Sequence, residues 1–254
     1  MTVDQQSLKN LVRLDKCPKL IEKYQGIAAL PFDIPRFEPD SWSDFWEIWN
    51  SENQKVWRQH LDRGAVGAAA PEMDLTQWDG LSLFELPELY TLGAWGTKIC
   101  QPMIEANPKL ISNLLESLPF VKTRSIRLWS SHTVIRLHRD DNMPSSLSPY
   151  LRFPTEIRVM IDDKNPRETF WLACHKKYKP NEEAKIPDNE RYYVHLPAES
   201  NTFAWNNEDY LHAADYIEGH RKILVVIKGW IDVDRFEELM DRSIERFPNY
   251  VIRI

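Results

Sequence analysis

The sequence predicts an α+β chain: helices first, then a β-sandwich or jelly roll of short strands, then one closing helix. Three observations carry this. Before Pro119 the apolar residues recur at helical spacing. After Pro119 the texture changes to short runs rich in β-branched and aromatic residues, separated by turn-forming clusters. From Val233 onward a single apolar stripe returns at helical period.

In order, residues 42–62 place Trp42, Phe45, Trp46, Trp49, Val56, Trp57 and Leu61 near helical spacing, with Ser41 as N-cap. These large rings are expected to be core rather than a substrate platform. Residues 108–117 put Leu110, Ile111, Leu114 and Leu115 on one face. Pro108 suits a first turn and Pro119 ends the helix. The runs 124–129, 133–138, 156–161, 168–174, 192–196, 202–206 and 221–230 read as strands. Asp140-Asp141-Asn142 and Asp162-Asp163-Lys164-Asn165-Pro166 read as turns. Val233, Phe236, Leu239, Met240, Ile244 and Phe247 form the final stripe. The expected organisation is one domain over residues 1–254. Within it, residues 1–119 form a mainly helical N-terminal region, residues 120–231 a jelly-roll core and residues 232–254 a C-terminal helix. The terminal helices would cover one face of the sheet.

Composition excludes several classes. The net charge is −6 with acids and bases interspersed, so nucleic acid is not an expected partner. No window approaches the apolar length of a membrane span. Cys17, Cys100 and Cys174 lie far apart and make neither a metal pair nor a disulfide framework. The expectation is a soluble cytoplasmic protein. Pro is common (17) and Gly scarce (8), so the loops are expected to be stiff.

The string Val134-Ile135-Arg136-Leu137-His138-Arg139-Asp140 places an imidazole and a carboxylate two residues apart. On a strand such residues share a face. His212 supplies a second imidazole about 70 residues downstream, at the start of another strand region. Two histidines and a carboxylate, leaving other positions open, make the facial triad that holds non-haem iron(II). The alternative is a hydrogen-bonded turn. Arg221 and Lys222 follow His212 by nine and ten residues and open the apolar run Ile223–Ile227. A cation there could hold the distal carboxylate of 2-oxoglutarate. Adjacent strand residues face opposite ways, so only one of the pair can point inward. Arg158 lies mid-strand between apolar neighbours. It could bind a carboxylate of 2-oxoglutarate or of the substrate, or pair with Glu156 or Asp162.

These elements resemble, in order, the aspartyl/asparaginyl β-hydroxylase-like branch of 2-oxoglutarate- and Fe(II)-dependent dioxygenases, which includes bacterial free-proline cis-hydroxylases. The resemblance runs from about 107 to 231. It rests on Asn107-Pro108-Lys109-Leu110, Arg127-Leu128, His138-Arg139-Asp140, Ile157-Arg158-Val159, Leu196-Pro197-Ala198, Phe203-Ala204-Trp205-Asn206-Asn207 before His212, and Lys222-Ile223-Leu224-Val225-Val226. It departs at Lys222, where relatives usually carry Arg, and at Met160, where they often carry His. By spacing it favours Lys222 over Arg221. It implies a double-stranded β-helix (cupin-type jelly roll), iron on His138, Asp140 and His212, and 2-oxoglutarate and O₂ as co-reactants. The implied reaction is hydroxylation of an amino acid or small derivative, with succinate and CO₂ released. Hydroxylation of a residue in a peptide or protein, and a non-catalytic jelly-roll binding protein, are the alternatives.

Overall fold

The structure, a computed structural model, describes residues 22–62, 78–85, 100–131, 135–138, 156–162, 169–206, 210–215 and 222–254. Among these, four α-helices and eleven strands alternate. They are β1 (Ile27–Pro31), α1 (Trp42–Asp62), β2 (Trp78–Glu85), α2 (Gln101–Ala106), α3 (Pro108–Ser117), β3 (Phe120–Ser131), β4 (Ile135–His138), β5 (Glu156–Asp162) and β6 (Phe170–Cys174). After them come β7 (Tyr192–Tyr193), β8 (Thr202–Trp205), β9 (Tyr210–Ala214), β10 (Lys222–Ile231), α4 (Val233–Arg246) and β11 (Ile252–Arg253).

The strands form two sheets, β11-β1-β8-β5-β10-β3-β2 and β4-β9-β6-β7. The pairings β6·β7, β5·β8, β4·β9 and β3·β10 are all antiparallel. They nest about one centre, and successive pairs alternate between the small and the large sheet.

Strand alternation divides the large sheet into two faces. Ile126 and Leu128 of β3, Val159 of β5, Ala204 of β8 and Ile223, Val225 and Ile227 of β10 join the helix-side core. Phe45 and Trp49 of α1, Leu110 and Leu114 of α3, and Phe236, Leu239 and Met240 of α4 complete it. On the other face, Phe203, Trp205 and Leu224 meet Phe170, Leu172 and Tyr210 of the small sheet. The small sheet's outer face buries Leu137, Trp171, Ala173, Leu211 and Ala213 beneath Ile186 of the 175–191 segment.

Local signals account for most helix ends. Ser41 Oγ accepts the Asp44 N–H at 3.4 Å, the expected N-cap of α1. Trp49 is fully buried, while Trp42 and Trp46 pack half-buried against the core. The core reading thus holds for these three rings, whereas the Trp57 side chain lies outside what the structure describes. Pro108 occupies the first turn of α3, where its missing N–H costs nothing. Leu115 departs from expectation: at 36% exposure it sits on the shoulder of α3, about 100° round from buried Leu114. Asp232 caps α4 by accepting the Arg235 N–H at 3.1 Å.

Three further differences stand out. The N-terminal region adds β1 and β2 to the large sheet beside its helices. The C-terminal segment does not stay helical: Pro248 breaks it, and β11 returns to pair with β1. Gly26, at φ +79°, makes the left-handed turn into β1, and its carbonyl accepts the Ile254 N–H at 3.1 Å. Finally, β7 closes after two residues instead of running over 192–196.

Candidate functional site

β4 and β9 run antiparallel with His138 directly opposite His212. The register slips between Ile135 and His138, so three residue steps on β4 match two on β9. This is a bulge, a device that re-aims side chains. The backbone of Leu137 is satisfied from outside the sheet. Its N–H donates to Glu183 Oε1 at 2.7 Å, and its carbonyl accepts the Asn181 N–H at 2.9 Å. Leu137 is buried on the outer face, and His138 turns to the inner one, where its ring lies 4.2 Å from that of His212 at 51°.

His138 Nδ1 lies 2.7 Å from the Arg136 carbonyl oxygen. A carbonyl only accepts, so Nδ1 is the donor, and in the neutral imidazole Nε2 then keeps its lone pair. That is the tautomer a metal ligand needs, held by the kind of backbone contact that orients such ligands. His212 is fully buried in mid-strand, not at a strand start. Its ring is flanked by Trp205 edge-on at 5.2 Å and by Phe170 at 5.5 Å. Its register neighbour on the other side is Leu172.

Of the residues singled out in the sequence, the structure brings His138 and His212 together. Asp140 and Arg221 lie outside the described residues. Lys222 is the first residue of β10, opposite Asp162. Arg158 lies mid-β5, opposite Val226 on one side and Phe203 on the other. Among the described residues no group of three His, Cys, Asp or Glu side chains could hold a metal. The described donor set is therefore the two imidazoles, and it fits a divalent metal that accepts nitrogen ligands. Sequence reasoning misses Phe170 and Trp205 as the walls of His212. Trp205 belongs to a quoted motif, but only the two-sheet packing shows that it touches the histidine.

No protein-family model and no curated protein matches the chain. Solved structures do resemble it. A non-heme monooxygenase, ThoJ in complex with nickel, is 12% identical, covers 91% of this chain and 100% of its own, and has a TM-score of 0.37. The Fe(II)/α-ketoglutarate-dependent dioxygenase TqaL is 10% identical over 83% of this chain and 85% of its own, at 0.33. HygX from Streptomyces hygroscopicus, with nickel and 2-oxoglutarate bound, is 12% identical over 84% and 86%, at 0.38. At these scores the likenesses carry no functional argument, which rests on the residues.

Proposed function

We propose that this chain is a 2-oxoglutarate- and Fe(II)-dependent oxygenase that hydroxylates a C–H bond of an amino acid or small amino-acid derivative. The single observation behind it is the cross-strand pair His138–His212, ring to ring at 4.2 Å on the inner face. The nested strand pairs alternating between two sheets suit a jelly-roll core. The family-like order of motifs from 107 to 231 supports the aspartyl/asparaginyl β-hydroxylase-like branch.

His138 and His212 would hold the metal through imidazole nitrogens. Asp140, two residues past His138, would supply the carboxylate. The iron, when bound, supplies O₂ activation coupled to oxidative decarboxylation of 2-oxoglutarate. The chain's own residues do the rest. The Arg136 carbonyl holds the His138 proton on Nδ1. Phe170 and Trp205 keep water from the His212 side and fix its ring. Lys222 or Arg221 would hold the distal carboxylate of 2-oxoglutarate, and the spacing of the family-like motifs favours Lys222. Arg158 of β5 would bind a carboxylate of 2-oxoglutarate or of the substrate, or pair with Glu156 or Asp162.

Among the described residues no helix is long and apolar enough to cross a membrane. Neither Cys100 nor Cys174 forms a disulfide, which suits a reducing, cytoplasmic setting. The test is succinate release from 2-oxoglutarate with Fe(II) across amino acids and short peptides. Release with an amino acid, lost in His138→Ala, is expected. Turnover that survives His138→Ala would overturn the site, and release only with peptides would move the substrate to a polypeptide.

A further inference from the structure

The segment 175–191 straps the small sheet and meets it at a telling point. β4 is the end strand of that sheet among the described residues, so its far edge has no described strand to pair with. Two groups of the strap take that place, and both meet Leu137. Glu183 Oε1 accepts the Leu137 N–H at 2.7 Å, and the Asn181 N–H donates to the Leu137 carbonyl at 2.9 Å. Covering an edge accounts for the strap being there. It does not account for a carboxylate, rather than a backbone carbonyl, meeting this one N–H.

The amide that carries the Leu137 N–H also carries the Arg136 carbonyl. That carbonyl oxygen lies 2.7 Å from His138 Nδ1. The amide is a rigid plane, and here both its ends are held, by Glu183 on the N–H and by the His138 imidazole on the oxygen. Carboxylate, amide and imidazole form one chain of hydrogen bonds. Hydrogen bonds in series strengthen one another by about 10–30% per bond. A carboxylate that draws the amide proton makes the amide oxygen a better acceptor for Nδ1–H, which raises the basicity of Nε2. The Asn181 contact fixes the next amide, between Leu137 and His138. The two amides that lead into His138 are thus clamped by one strap.

Glu183 is itself firmly placed. Its carbonyl accepts an Arg191 Nη2 hydrogen at 2.9 Å and the Ile186 N–H at 3.1 Å. The Arg191 guanidinium lies 5.1 Å from the Trp171 ring, and Ile186 is buried with Leu137, Trp171 and Leu211. Asn181 stands at φ +62°, a left-handed conformation that asparagine adopts more readily than most residues, and presents its N–H from there.

We propose that Glu183 is a positioning residue for His138: through the Arg136–Leu137 amide it aims the ring and strengthens the lone pair on Nε2. The inference deepens the oxygenase reading and rests on it for the metal that His138 would hold.

The test compares wild type with Glu183→Ala, Glu183→Gln and, from the same strap, Glu182→Gln. Ni(II) affinity is measured by calorimetry. Nitrogen NMR of the metal-free chain, at a pH where the imidazole is neutral, reads which ring nitrogen of His138 carries the proton. The His138 signals are assigned by their loss in His138→Ala. Glu183→Ala is expected to weaken Ni(II) binding roughly 10-fold and to move the ring from the Nδ1–H form toward a mixture of tautomers. Glu183→Gln keeps an acceptor oxygen but loses the charge, so it should fall between. It carries the test if the alanine variant fails to fold. Glu182→Gln loosens the strap at Lys179 and Lys185 without touching the amide, and should leave both readings as in wild type. Unchanged ring signals or an unchanged Ni(II) affinity in the folded Glu183 variants would overturn the proposal, as would an equal loss in Glu182→Gln. Ring signals that depend on Glu183 in a wild-type chain that binds no Ni(II) would instead sink the oxygenase reading and leave the link from Glu183 to His138 standing.

Discussion

At the scale of single residues, His212 gives the sharpest contrast between a metal ligand and an ordinary core histidine. It is fully buried among Phe170, Trp205 and Leu172. Leucine has a similar volume and suits these apolar neighbours, while removing both ring nitrogens. His212→Leu is therefore expected to fold. Wild type should gain stability when Ni(II) or Co(II) is added, by about 2.7 kcal/mol at a hundredfold excess over Kd, and His212→Leu should gain almost none. Equal metal-induced shifts in the two proteins would reject His212 as a ligand. Both histidines were legible in the chain as isolated letters, and strand parity made their convergence plausible. The bulge that turns His138 inward was not legible, because it depends on Glu183 and Asn181 reaching across to Leu137.

At the scale of elements, helices with a clear apolar period were legible, and α1 and α4 show why. Trp49 is fully buried and stacks on Phe45 at 6.4 Å and 12°. Trp49→Ala should cost about 3–5 kcal/mol of unfolding free energy, measured by denaturant titration, and half-buried Trp46→Ala clearly less. Loss of the cap in Asp232→Ala should cost about 1 kcal/mol. The strand β1 was missed for a physical reason: Ile27–Pro31 is buried at every position, so it shows no polar alternation. The segment 175–191 carries a pH prediction. Glu182 titrates below the usual glutamate range because Lys185 bonds it, with the Lys179 N–H adding to the effect. Glu190 is lowered by Lys177 and then by the Tyr178 hydroxyl. Both shifts are downward, so what these contacts contribute is present above the ordinary value of 4.5 and lost as pH falls below it through the folded values. Amide exchange at Lys179 should accelerate over that acidic window, and Glu182→Gln should remove most of the pH dependence. Identical profiles in both proteins would refute the assignment.

At the scale of the whole molecule, the class α+β with a strand-rich centre was legible from periodicity, but the sheet order was not. The pairing of β3 with β10 joins segments about a hundred residues apart, and no local pattern encodes it. The same holds for the closure of the large sheet. Residues 252–253 form β11, which covers the outer edge of β1. The Ile254 N–H donates to the Gly26 carbonyl at 3.1 Å, and the Ile254 carbonyl accepts the Tyr210 hydroxyl at 3.2 Å. Tyr210 lies on β9, two residues before His212, so this corner ties the edge of the large sheet to the strand that carries the site. Deleting residues 251–254 would uncover β1, a strand of apolar residues buried at every position, as a free edge. The expected loss is about 2 kcal/mol or more, from the hydrogen bonds alone, with concentration-dependent aggregation on heating. Metal affinity should fall much less, because the His138–His212 pairing and its Arg136 anchor are intact. A deletion variant that kept its thermal midpoint would show that β11 is an ornament on the sheet. One that lost metal binding altogether would show instead that the Tyr210 corner sets the position of His212.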